Sequence, residues 1–133
     1  MSTRPVEAGG IKTGSFIVID GEPCRVVEVE KSKPGKHGSA KARIVAIGLF
    51  DNVKRSIVVP TDSRVEVPEV SKKLAQVIAV FENTVQLMDL GTYEVYEVPM
   101  PVEEEIRSRL SSGTEVEVWD VMGRKKIMRV RGG

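Results

Sequence analysis

Almost the whole chain is written in short Val- and Ile-rich runs separated by turn signals, and only one stretch carries a helical period. The first half reads as strands over Ser15 to Asp20, Glu22 to Glu30, Lys41 to Gly48, Lys54 to Pro60 and Arg64 to Pro68. Asp20-Gly21 and Phe50-Asp51-Asn52 supply tight turns between them, and strands so closely joined point to a small barrel. Pro60, Pro68 and the polar stretch Glu69 to Lys73 punctuate the midpoint, which predicts two domains, 1–69 and 70–133. The second half reads as strands over Leu74 to Glu82, Thr84 to Asp89 and Tyr93 to Val98, a helix from Pro101 to Leu110, then strands over Glu115 to Met122 and Lys125 to Val130. In the helix, Glu103 to Glu105 oppose the positive end of the dipole, Glu103/Arg107 and Glu105/Arg109 are i,i+4 pairs, and Val102, Ile106 and Leu110 form the face turned to the barrel. Five strands with a helix between the third and fourth fit an OB-fold, so the expected fold class is all-β: two small barrels, with one short helix in the second.

Composition narrows the function classes. Of 133 residues, 41% are hydrophobic and 29% charged, enough apolar surface for packed cores without the net charge of a disordered chain. Cys24 and His37 are the sole residues of their kinds, which excludes an internal disulfide and a Cys/His zinc cage; Cys24 reads as a small buried side chain. No nucleophile stands with a base beside it, so no enzyme, bound cofactor or metal is expected. No apolar run approaches the roughly twenty residues of a membrane span, and residues 1–10 lack a secretion-signal core; no membrane partner and a cytoplasmic location are expected. The net charge of +1 conceals two basic groups. Lys31, Lys33, Lys36, Lys41 and Arg43 have no acid among them, whereas Arg124, Lys125, Lys126, Arg129 and Arg131 read as a solvated strand face. Phe81, Tyr93, Tyr96 and Trp119 all fall on second-half strands, where burial is a commoner role than base stacking.

Between two well-patterned strands lies Lys33-Pro34-Gly35-Lys36-His37-Gly38-Ser39-Ala40-Lys41, predicted to be the tip of a long hairpin with its loop over 31–41. Glycines on both sides of Lys36 permit close backbone approach, and no apolar side chain anchors the tip. A phosphate loop is rejected, because Glu30 and His37 stand where that pattern needs Gly and Ser or Thr, and the context is strand to strand rather than strand to helix. Lys33, Lys41 and Arg43 are candidate contacts to an RNA backbone.

Gly35-Lys36-His37-Gly38-Ser39-Ala40-Lys41, followed by Ala42-Arg43-Ile44, Gly48-Leu49-Phe50-Asp51 and Lys54-Arg55-Ser56, closely resembles the lysine-modification region of the translation initiation factor 5A family. Pro34 and Ser39, where eukaryotic relatives usually carry Thr and His, resemble the archaeal pattern, and there is no room for the third domain usual in the related bacterial elongation factor P. The resemblance implies an SH3-like barrel for the first domain. It implies that deoxyhypusine synthase attaches a spermidine-derived aminobutyl group to Lys36, giving deoxyhypusine or hypusine, with Gly35, His37 and Gly38 serving recognition of the loop. It further implies action near the ribosomal exit site, with contacts to rRNA and peptidyl-tRNA, that promotes peptide-bond formation at slow sites such as consecutive prolines. The rival from another class is a general RNA-binding or RNA-chaperone module that works without modification. A structural, lattice-forming relative is a further rival, and Lys36 argues against it.

Overall fold

The computed structural model describes residues 3–33 and 40–131. By its contacts the chain divides into two units, Met1–Glu69 and Val70–Gly133, each with its own core.

The first unit contains β1 (Thr3–Glu7), a 3-10 turn (Ala8–Gly10), β2 (Phe16–Ile19), β3 (Glu22–Ser32), β4 (Lys41–Gly48), β5 (Lys54–Pro60) and β6 (Arg64–Pro68). Strands β2-β3-β4-β5 form an antiparallel sheet, and β1 pairs separately with β6. Asp20 and Gly21 both adopt positive φ, 53° and 79°, the pairing that matches the twist of a two-residue hairpin. Inward-facing Ile17, Ile19, Cys24, Val26, Ile44 and their neighbours form the core, which Val6, Val65 and Val67 of the two-stranded sheet close from the other side. Burying each such side chain is worth about 1.5–3 kcal/mol, so alternation along the strands sets which face turns inward. A bulge between Val26 and Glu28 leaves Val27 exposed.

The second unit contains β7 (Val70–Val80), β8 (Thr84–Asp89), β9 (Val95–Pro99), α1 (Glu104–Arg107), β10 (Glu115–Val121) and β11 (Arg124–Arg131). Its antiparallel order is β11-β10-β7-β8-β9. Lys125 on β11 lies 4.5 Å from the ring centre of Tyr96 on β9, so the two edges of the sheet approach each other as an OB barrel requires. The core joins Ala75, Val77, Leu87, Val98, Val116 and Ile127, and Ile106 and Leu110 pack against it as expected.

Three elements differ from expectation. Thr3–Glu7 is a strand although Val6 is its only strongly apolar residue, because pairing with β6 supplies what its side chains do not. The polar stretch after Pro68 does not interrupt the chain: Val70–Lys73 pair with Val118–Val121, and Lys72 lies 4.4 Å from the Trp119 ring centre. The helix shrinks to one turn, Glu104–Arg107, with Pro101 buried before it and Val102 65% exposed rather than facing the barrel. Pro99 and Pro101 bias their preceding residues to extended backbone. The Glu103 side chain makes no capping bond; it meets Lys126 at 2.9 Å in a largely buried ion pair, while Arg107 pairs with Glu104. No helix among the described residues is long and apolar enough to cross a membrane.

Candidate functional site: the lysine hairpin

Strands β3 and β4 run antiparallel from Cys24 opposite Gly48 to Ser32 opposite Lys41, so the chain between them is presented at one end of the four-stranded sheet. Gly35, Lys36, His37 and Gly38 lie outside the described residues. Lys33 and Lys41, at the two ends of the hairpin, are exposed and available to a polyanion. Arg43 is not comparably free. Its Nη1 lies 3.0 Å from Glu30 and 3.3 Å from Glu28, both one strand away, in surface ion pairs that leave the side chain 46% exposed. The composition of 31–43 hides this, because the acids come from the stretch just before it. Lys31 donates from Nζ to the Gly9 carbonyl at 2.7 Å, a contact no local sequence signal announces.

The C-terminal basic group is dispersed. Lys126 is held by Glu103, Lys125 stacks on Tyr96, and Arg129 approaches Glu117 at 3.7 Å. Trp119 is buried and donates to Glu117, whereas Phe81 and Tyr93 are exposed. Among the described residues no group of three His, Cys, Asp or Glu side chains could hold a metal ion.

At the end of β4 away from the hairpin, the β4–β5 turn is locked by one carboxylate. Asp51 Oδ1 accepts the Val53 N–H at 3.0 Å, and its two oxygens meet Arg55 Nη1 and Nη2 at 3.2 and 2.8 Å. The Arg55 bond and then the Val53 N–H hold the Asp51 carboxyl down to about 2. Burial raises the nearby Cys24 thiol, against the opposing pull of Arg55. Because Asp51 titrates below its ordinary 3.8 when folded, the pair stabilises the fold above that value, and the contribution fades as pH falls from about 4 towards about 2. Melting temperatures of the native chain and Asp51→Asn should therefore differ at pH 7 and converge near pH 2; a constant gap would refute this account.

Residues 1–63 match the family model described as translation initiation factor 5A-like, N-terminal, and residues 69–131 match the one described as eukaryotic elongation factor 5A hypusine, DNA-binding OB fold. The chain belongs to the translation initiation factor 5A family. Translation initiation factor 5A of Thermofilum pendens is 73% identical over 131 residues, covering 98% of this chain and 99% of that protein. The corresponding factor of Korarchaeum cryptofilum is 56% identical over 133 residues, covering 100% and 99%. Among solved structures, the eukaryotic translation initiation factor 5A from Methanococcus jannaschii superposes with a TM-score of 0.88 at 47% identity, covering 98% of this chain and 96% of that one. A translation initiation factor 5A family protein from Naegleria fowleri gives 0.83 at 33% identity, covering 99% and 100%. The two-barrel architecture is thus that of initiation factor 5A, and a role in translation follows from membership of the family. Within the factor, Gly48, Asp51 and Arg55 belong to the turn that braces β4 against β5, so this part of the resemblance has a structural explanation.

Proposed function

We propose that the chain binds the ribosome in the exit-site region and promotes peptide-bond formation at slow or stalled sites, such as consecutive prolines. It does so by positioning the peptidyl-tRNA with a deoxyhypusine or hypusine formed on Lys36. The observation that carries this reading is the Gly35-Lys36-His37-Gly38 sequence joining β3 to β4 in a member of a family whose model is named for hypusine. Physical chemistry supports it. A lysine ammonium is a compact hydrated charge on a four-carbon stem. An added aminobutyl arm extends that reach and leaves two amines, both cationic near neutral pH, a form suited to threading between phosphates. Proline restricts the geometries from which its nitrogen can react, so ordering the acceptor end of the tRNA lowers an entropic barrier while the ribosome carries out the transfer. Lys33 and Lys41 flank the tip as backbone contacts; Arg43, held by Glu28 and Glu30, contributes through the sheet. In this reading Gly35, His37 and Gly38 serve recognition by deoxyhypusine synthase, the chain has no turnover site of its own, and it works in the cytoplasm.

Peptide mass spectrometry of the chain isolated from its native cells tests the reading. Added mass equal to an aminobutyl group, with or without one oxygen, should localise to Lys36. A wholly unmodified lysine would instead favour a general RNA-binding module that acts without modification.

A further inference from the structure

We propose that Lys31 and Gly9 are positioning residues that clamp the base of the lysine hairpin and set the direction in which it leaves the sheet. The inference rests on the proposed role of Lys36.

The β3–β4 ladder ends at Ser32 opposite Lys41, and at that level both legs are tied to the same short segment. On the β3 leg, Lys31 Nζ donates to the Gly9 carbonyl at 2.7 Å. On the β4 leg, the Ala40 carbonyl accepts the Thr61 N–H at 2.9 Å, and the Thr61 carbonyl accepts the Gly9 N–H at 2.9 Å. Gly9 therefore receives one leg directly and holds the other through Thr61. The approach is close: a Cβ on Gly9 would stand 3.1 Å from both the side-chain Cβ and the carbonyl oxygen of Thr61, so Thr61 would have to shift by a few tenths of an ångström to admit it. Glu7 and Asp62 line the same groove as Lys31 and Gly9.

The mechanical consequence follows from chain length. From Ser32 to Lys36 the chain can reach no more than about 14 Å, and a tilt of about 10° at the base moves a point at that reach by about 2 Å. A group that works by positioning loses much of its effect over such a distance, where a 1 Å error can cost roughly a hundredfold. The β4 leg is braced by β5 down to Lys41 opposite Pro60, whereas at that level the β3 leg has only β4 paired beside it. The Lys31–Gly9 contact ties this second leg to the segment that already holds the first.

The test uses full-length chains purified in the Lys36-modified form, so that impaired modification cannot pass for impaired action. Lys31→Met should melt with the native chain yet slow synthesis through consecutive prolines by roughly three- to tenfold, a partial share of what a 1 Å displacement can cost. Lys31→Arg, which keeps the charged donor, should restore most of the rate. Gly9→Ala changes no charge and should give a similar loss, and the double variant should be no slower than the slower single, because both act on one device. Multiplying losses would mean that Lys31 acts elsewhere, for instance on a phosphate, and would overturn the clamp. So would a native rate for Lys31→Met while Lys36→Arg is defective, an outcome that leaves the proposed function standing. A fully active Lys36→Arg would remove that function and the clamp's purpose together. Should Gly9→Ala fail to fold, the contrast of Lys31→Met with Lys31→Arg decides alone.

Discussion

Lys36→Arg should give a chain that melts with the native protein and yet supports synthesis through consecutive prolines no better than its absence does. Stability should survive because the exchange keeps a long cationic side chain, and the sequence Lys33-Pro34-Gly35-Lys36-His37-Gly38-Ser39 offers no large apolar side chain to a core. Function should not survive. Arginine preserves one positive charge, but its guanidinium is delocalised and always protonated, and it offers no primary amine on which an aminobutyl arm can be built. If charge at the tip were the active ingredient, the variant would work; if a long dication is required, it fails. The expected loss is at least about tenfold in the rate at proline runs, equivalent to about 1.4 kcal/mol of barrier, with little change on a message that lacks them. Reconstituted translation of paired messages, with and without a proline run, measures both. Native rates on the proline message would exclude the modified-lysine mechanism.

How far the sequence foretold the structure depends on whether local side chains or distant partners decide each element. The strands Lys41–Gly48, Lys54–Pro60, Arg64–Pro68 and Thr84–Asp89 were legible to the residue, because alternating Val and Ile with a buried face specify both strand and register. The Asp20-Gly21 turn was legible because positive φ at two successive residues favours that dipeptide. By contrast, β1 and the start of β7 take their stability from β6 and β10, and a ladder of backbone bonds leaves no apolar trace in the sequence. The helix is shorter than its charge pattern predicts for a related reason: its acids and bases fit helical electrostatics, but the Glu103 side chain meets a tertiary partner, Lys126, and does not cap the helix. At the candidate site, Lys36 and its glycines were visible as a motif, while the ties between Lys31, Gly9, Thr61 and Ala40 join segments far apart in the chain. Arg43 shows the converse, a cation whose charge looked free until β3 placed Glu28 and Glu30 beside it.

Gly48→Ala should destabilise the first unit by about 2 kcal/mol, a fall of roughly 10 °C in its melting temperature. The size of the effect is set by what must move. A Cβ on Gly48 would stand 1.9 Å from Asp51 Oδ1 and 3.0 Å from Arg55 Nη1, so the Asp51 carboxylate cannot stay where it is. Displacing it breaks the two contacts to Arg55 and the bond from the Val53 N–H, charge-assisted interactions worth about 1.5–3 kcal/mol together when partly shielded from water. The lower part of that range applies, because the Asp51 side chain is 33% exposed. Relaxation also limits the cost: the three atoms nearest the new methyl belong to the side chains of Asp51 and Arg55, which can swing, and not to backbone. Gly48→Ala should therefore cost about as much as Asp51→Ala, and in an Asp51→Ala background it should cost almost nothing. Denaturant unfolding of the two single variants and the double variant measures this coupling directly. Equal and additive losses would show that Gly48 is required by the backbone of the turn itself and not by the carboxylate that crosses it.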